Sequence, residues 1–411
     1  MSRRSALCAV CCLVMLLVVT LPCFGCGEDG EKKRVIVIGH ISDMTGAAAP
    51  AMVNVNYALE DQVKHINDTG ALPGVELKVI TYDSRYDPSR AIPAYDWCRS
   101  KGAEVIVCGL PPILEVLKAF ADRDGFPLFS LPCSESLTDP PGWVFTMNAP
   151  TTSTLKTLCQ WISENDWDYQ TEGRKPRIGS AVWDETYGID CTRGIEQYAK
   201  DHPDEFEYVV GARVPMGTVN WDAEVQKLKG CDYVFIPATG MGTITFVNQY
   251  RDKGGKATFL GNDAQPAYRG LVVDSCGWDK VNGMLNSYSV LWWNDPVPVI
   301  ELANELLSEY HPGMVEDIIH EGGGYIGAFQ ELYCCLDILQ EAVKEVGPEE
   351  FDGQAIYNTA VGFKATWEGY AEWSFTETRR YSVDYLTIYE WSAQHQDMVR
   401  KIDTWIPLVI E

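Results

Sequence analysis

The sequence predicts an α/β protein of two lobes, each a parallel sheet doubly wound with helices. Three observations predict it. At 411 residues and 46% hydrophobic, the chain exceeds what one core usually supports. The stretch Val75 to Pro112 reads as a strand, a helix and a second strand, the signature of a parallel crossover. The same alternation starts again at Thr151 without sequence identity to the first round.

The elements follow in order. Arg34-Val-Ile-Val-Ile-Gly39 reads as a buried strand. It turns through His40-Ile-Ser-Asp-Met-Thr-Gly46 into a helix with Val55, Leu59, Val63 and Ile66 on one face. Asn67-Asp-Thr-Gly70 stops that helix. Val75-Glu-Leu-Lys-Val-Ile-Thr-Tyr-Asp83 is the next strand, and Pro88 opens a helix through Arg99. Ala103–Gly109 is a strand that passes through Leu110-Pro-Pro-Ile into a helix over Leu114–Arg123. Phe126–Ser130 and Trp143–Met147 complete the first lobe's strands.

The second round gives helix Thr154–Asn165, strand Arg177–Val182 and helix Ile189–Asp201. Strand Glu207–Val214, helix Trp221–Lys229 and strand Cys231–Ile236 follow. A helix through Gly254 and strand Ala257–Gly261 end at Asn262-Asp263. Long helices are expected over Val299–Tyr310 and Tyr325–Val346, and Trp- and Tyr-rich strands from Trp367 to Leu408. In such sheets ligands bind beyond the carboxyl ends of the strands, so the crevice after Gly109 is the candidate site.

The first residues read as a targeting segment. Arg3 and Arg4 precede the apolar run Ala6–Leu21, and Phe24-Gly25-Cys26-Gly27 follows. A basic start, an apolar core and a small residue before cysteine look like a bacterial lipoprotein signal over residues 1–26. Cys26 is then the lipidated first residue. The alternative is an uncleaved anchor, since the apolar run is nearly long enough to span. Residues 27–33 are a polar tether, and either way the folded part lies outside the cytoplasm, held at the membrane.

The net charge of −25 leaves no means of neutralising a row of phosphates, which argues against nucleic acid as a partner. Five of the fourteen cysteines fall in the leader. The other nine show no Cys-x-x-Cys zinc spacing, and Cys108, Cys334 and Cys335 sit in apolar runs. No metal and no cofactor is expected.

Several motifs together resemble a known family. They are Thr45-Gly46 after the first strand, Ile66-Asn67-Asp-Thr-Gly70, and Tyr82-Asp83 followed by Asp87-Pro88. Leu137-Thr138, Tyr187-Gly188 and the late helix Tyr325–Ala342 continue the series. In order and spacing they are similar to the type I periplasmic binding proteins of the branched-chain amino acid class, which serve ABC transporters. The resemblance runs from Arg34 to Leu408. It implies two lobes joined by a three-segment hinge: 34–148 with 288–362, and 149–287 with 363–411. It also implies a small-molecule ligand, a membrane permease as partner, and closure of the lobes.

Carried over residue by residue, the resemblance gives a mixed site. The family's carboxylate-binding Ser is replaced by Leu110-Pro111-Pro112, which removes the hydroxyl and two N–H donors. Cys133, Ser134 and Glu135, with Ser136, match the second carboxylate-binding segment, where a glutamate would repel a carboxylate. Tyr187 matches the aromatic wall, or else caps a loop. Thr239-Gly240 stands where the family often has another aromatic. Asp263 matches the partner of the ligand's ammonium, or else caps the following segment. Glu135 also reads as a solvated loop charge, and Trp183, Trp292 and Trp293 as packing residues.

The implied function is a solute-binding protein that captures an amino acid or related small molecule. A ligand-sensing receptor subunit would use the same fold. An enzyme is the remaining alternative, but no G-x-G-x-x-G, phosphate loop, H-E-x-x-H or G-x-S-x-G occurs. His320-Glu-Gly-Gly-Gly324 reads as glycines permitting close helix packing.

Overall fold

The structure is a computed structural model that describes residues 33–410. The leader, Cys26 and most of the tether lie outside the described residues.

The first sheet has five parallel strands in the order β2–β1–β3–β4–β5. They are β1 (Arg34–Ser42), β2 (Val75–Asp83), β3 (Ala103–Cys108), β4 (Leu128–Ser130) and β5 (Val144–Thr146). Central β1 pairs Ile38 with Val79 on one side and with Val105 on the other. Ile36, Ile38, Val105, Ile106 and Val107 are fully buried, as expected for strands covered on both faces. The switch from β1 to its neighbours on either side makes this a doubly wound sheet with a crevice at its carboxyl edge.

The second sheet is mixed. Its parallel part is β6 (Arg177–Trp183), β7 (Glu207–Val214), β8 (Tyr233–Phe235), β9 (Thr258–Gly261) and β10 (Leu285–Tyr288). A small antiparallel pair, β11 (Lys364–Ala365) and β12 (Trp373–Ser374), comes next in the chain. Then β13 (Tyr385–Ser392) and β14 (Asp397–Arg400) join the second sheet antiparallel, in the order β14–β13–β10–β9–β8–β6–β7. Sequence patterning gave the parallel strands and the strand-rich end but not the change of direction. The short, helix-free connection from β13 to β14 accounts for the antiparallel pairing of those two strands.

The chain passes between the sheets three times. It leaves β5 through Met147–Pro150 to the helix Thr151–Trp161. It leaves β10 for the helices Pro298–Tyr310 and Gly323–Val346, the second of which packs on the helix Ala49–Thr69 of the first sheet. Residues 380–382 then run beside β5, with the Thr146 amide donating to the Arg380 carbonyl at 2.7 Å, before β13 returns to the second sheet.

Glycines set the approach of the two long helices. A Cβ at Gly324 would lie 2.8 Å from the Ala51 carbonyl oxygen, so only glycine lets these backbones meet. The glycines of the run at His320 therefore serve helix packing, and the run's first two residues end a short helix (Val315–Glu321). All nine cysteines among the described residues are buried and free.

A cleft between the two sheets as candidate binding site

Residues at the carboxyl ends of strands from both sheets line one cleft of ≈ 1030 Å³, its open mouth included. After the first sheet's strands come Tyr86, Gly109–Pro111 and Leu131–Pro132. The second sheet contributes Val182–Trp183, Glu185, Phe235, Thr239, Asp263 and Tyr288. The helices Ala49–Thr69 and Gly323–Val346 supply Met52, Val55, Ala328 and Glu331. An apolar cleft with few polar groups, at the ends of parallel strands, is the usual form of a small-molecule site.

The loops at the cleft are held by side chains. Asp83 accepts from the Met44 amide at 3.0 Å, the Thr45 hydroxyl at 2.7 Å and the Arg85 amide at 3.1 Å. Burial pushes the Asp83 carboxyl up, but these bonds outweigh it and leave it below its ordinary range. Arg85 and Tyr86 both take left-handed backbone, φ 56° and 57°, and Tyr86 reaches the cleft from there. A bulky residue in that region marks backbone held by its surroundings, as happens at ligand sites.

Two helix starts facing the cleft offer few free donors. The helix after β3 begins at Pro111, so Pro111 and Pro112 have no N–H to give. At the helix Thr186–Asp201, Glu185 takes the amides of Tyr187 (3.0 Å) and Gly188 (2.7 Å). This places Tyr187 in the first helical turn rather than in a loop. Burial pushes the Glu185 carboxyl up to about 7 despite those two bonds.

Tyr187, Thr239 and Asp263 come together in the cleft wall. The Tyr187 hydroxyl donates to Asp263 at 2.8 Å and also meets the Asn262 side chain. Thr239 has a buried hydroxyl oxygen with no hydrogen-bond partner among the described residues. Cys133, Ser134 and Glu135 are not in this wall, which takes Leu131 and Pro132 instead. Cys133 is buried, and the Ser134 hydroxyl donates to Glu115 at 2.8 Å. Glu135 lies half-exposed at the rim, 3.2 Å from Arg193. Trp183 lines the cleft while its indole N–H donates to the Thr218 carbonyl at 3.1 Å. Trp292 and Trp293 are buried packing residues.

Sequence reasoning missed Asn148 and Glu331. The Asn148 amide nitrogen donates to Asp263 at 3.2 Å and to Glu331 at 2.8 Å. Asn148 lies in the first passage between the sheets, Asp263 after β9, and Glu331 on the helix packed against the first sheet. The triangle therefore spans both lobes. The signal for Glu331 was present: it falls one helical turn from Gly327 and from Cys335, on an otherwise apolar face.

A cleft closed between two such sheets defines a two-lobe ligand-binding protein. A family model described as periplasmic binding protein matches residues 35–396, and the chain belongs to that family. It is thus a periplasmic binding protein, a member of an extracytoplasmic family. A branched-chain amino acid ABC transporter protein from Thermus thermophilus with bound valine is 17% identical, with TM-score 0.78 over 92% of this chain and 97% of that one. A fatty acid ABC transporter substrate-binding protein from Thermomonospora curvata is 16% identical, TM-score 0.74, over 92% and 95%. A solute-binding protein from R. palustris in complex with 4-hydroxybenzoate is 17% identical, TM-score 0.72, over 91% and 97%. At such identities the likeness is one of fold. Among curated proteins no relative matches the chain. No helix among the described residues is long and apolar enough to cross a membrane.

Proposed function

We propose that this chain is a solute-binding lipoprotein outside the cytoplasm. It captures a small polar ligand between its lobes and delivers it to an ABC-type permease. The lobes are taken as 34–148 with 288–362 and 149–287 with 363–411. Cys26 carries the lipid anchor, so the protein stays near its permease.

The observation that carries this reading is the Asp263 carboxylate, fixed by Tyr187 and Asn148 inside a largely apolar cleft. Removing a polar ligand from water requires a placed partner for each of its charges, and Asp263 supplies one for an ammonium. Tyr187 and Thr239 are the neighbouring ligand contacts. Cys133, Ser134 and Glu135 act at the rim, where closing lobes meet. Ligands named for structures of the same fold range from valine to 4-hydroxybenzoate, so the fold alone does not choose among amino acids, aromatic acids and amides.

A thermal-shift panel of amino acids, aromatic acids, amides and amines tests the reading, because a ligand that binds only the folded state raises its stability. A stabilising compound whose effect disappears in Asp263→Asn supports it. A panel with no stabilising member contradicts it. Intact mass of protein made in a bacterium should show a diacylglyceryl group on Cys26, and a retained leader would contradict the anchor.

A further inference from the structure

Resting on the reading of the cleft as the solute site, we infer that its ligand is a small protonated amine without a carboxylate. Asp263 and Glu331 together are its counter-ion.

Charge is the first ground. Among the described residues no lysine, arginine or histidine lines the cleft, whereas Glu185, Asp263 and Glu331 do. A carboxylate brought here would meet three acids, and a buried anion without a partner is costly. Helix N-termini are the other common anion sites; those after β3 and β6 are blunted, whereas the helix starts at Gly240 and Gly323 carry no side-chain cap. Pro111 and Pro112 lack the N–H, and the amides at Tyr187 and Gly188 already bind Glu185. At the start of the helix Ala49–Thr69, Asp43 already accepts from the Ala48 amide at 2.8 Å.

The deep pair is the second ground. Asn148 donates to both carboxylates, yet among the described residues no cation reaches either. Glu331 is 6% exposed, and its Oε2 has no protein partner. The hydroxyls of Tyr86, Tyr268 and Tyr288 line the same cleft without a hydrogen-bond partner, although these residues are 7%, 5% and 3% exposed. Glu331 Oε2 and these hydroxyls are not sealed off as buried atoms; they open onto the cleft, where the two carboxylates are acceptors for a donor that the ligand brings. An ammonium has three N–H donors and no acceptor. Met52, Val55, Leu110, Leu131, Trp183 and Phe235 then receive an apolar body.

The pair also binds a proton in the ligand's place. Burial, and next the charge of Asp263, push the Glu331 carboxyl well above its ordinary range, against the bond from Asn148. Burial raises Asp263 as well, against the bond from Tyr187. The titratable groups facing the pair are Tyr187, Tyr288, Cys133, Cys191 and Cys334, each pushed up by burial and neutral. Without a cation beside it, burial and the neighbouring Asp263 charge favour the protonated form of Glu331. An ammonium seated there sends that proton to the buffer, and its affinity rises with pH until Glu331 is ionised.

Three matched pairs test the inference: isobutylamine with valine, phenethylamine with phenylalanine, and benzylamine with benzoate. At least one amine should raise the melting temperature at millimolar concentration and bind at least about tenfold more tightly than its acid-bearing partner, a difference of about 1.4 kcal/mol. Calorimetry in two buffers of different ionisation heat should show release of about one proton on amine binding to the parent and none in Glu331→Gln. If Glu331→Gln folds poorly, the parent's own pH profile decides: affinity for the amine must increase with pH, and a flat profile overturns the role of Glu331. Binding of an acid in preference to its amine overturns the ligand class while leaving the solute-binding reading intact. Binding of neither member of any pair overturns the ligand class and counts against the cleft as a solute site.

Discussion

Two clusters of carboxylates straddle the lobes, one at the rim and one deep in the cleft, and they differ in a single respect. At the rim, Arg193 lies 3.2 Å from Glu135 of the first lobe and 2.9 Å from Asp190 of the second. Glu115 of the first lobe is nearby, held by Ser134 at 2.8 Å. The rim thus contains its own cation. In the deep cluster Asn148 joins Asp263 to Glu331, and among the described residues no cation completes it. The same acidic chemistry has a cation within reach in one place and none among the described residues in the other. The rim pair is a half-exposed contact across the cleft; on the proposed reading the deep pair takes its cation from what lies between the lobes.

The largest expected effect is in the deep pair. Asp263→Asn keeps the shape and removes the charge, which should weaken amine binding by on the order of 2–5 kcal/mol, roughly 30-fold or more. Titration calorimetry measures it, and unchanged affinity would erase the distinction between the clusters.

At the rim the expected signal is in stability against pH. Burial pushes the Asp190 carboxyl up to about 7, with Arg193 opposing and Glu135 and Glu115 adding to the rise. A carboxyl raised by folding favours the folded state only while it is protonated, so its contribution is lost as pH rises from about 4 through about 7. Asp190→Asn should therefore gain stability relative to the parent across that window, by on the order of 2–4 kcal/mol. Urea unfolding at several pH values checks it; parallel curves for parent and variant would mean that Arg193 fully compensates Asp190.

A smaller effect separates the clusters through packing. Gly324→Ala places a Cβ 2.8 Å from the Ala51 carbonyl oxygen and should force apart the helices that position Glu331. The cost should be about 1–3 kcal/mol of stability, with ligand affinity falling in step and the rim unaffected. The smallest effect is Glu135→Gln: a half-exposed ion pair should matter by under about 1 kcal/mol to stability and less to affinity.

How much of this was legible in the sequence depends on distance along the chain. Strands such as Arg34–Ser42 and Val75–Asp83 carry their pattern locally, and the crossover rule placed a crevice after Gly109 before any coordinates. Tyr187, Thr239 and Asp263, which the family resemblance supplied, do lie in the cleft wall. Asn148 and Glu331 were not legible, since their meaning lies in a contact across 183 residues of chain. Cys133, Ser134 and Glu135 sit close in sequence to Leu131 and Pro132, which do line the cleft. The short helix Glu135–Thr138 turns the chain outward just there, and its direction is set by tertiary packing. The antiparallel return of β13 was equally hidden, because strand pattern does not encode strand direction.

The central claim is that a cation between Asp263 and Glu331 joins the lobes. Small-angle scattering with and without a binding amine tests it most directly, because contacts with both lobes favour the closed state. The account predicts that the parent becomes more compact on saturation with the amine, and that Asp263→Asn does not at the same concentration. An amine that binds tightly and leaves the parent's radius unchanged would contradict it.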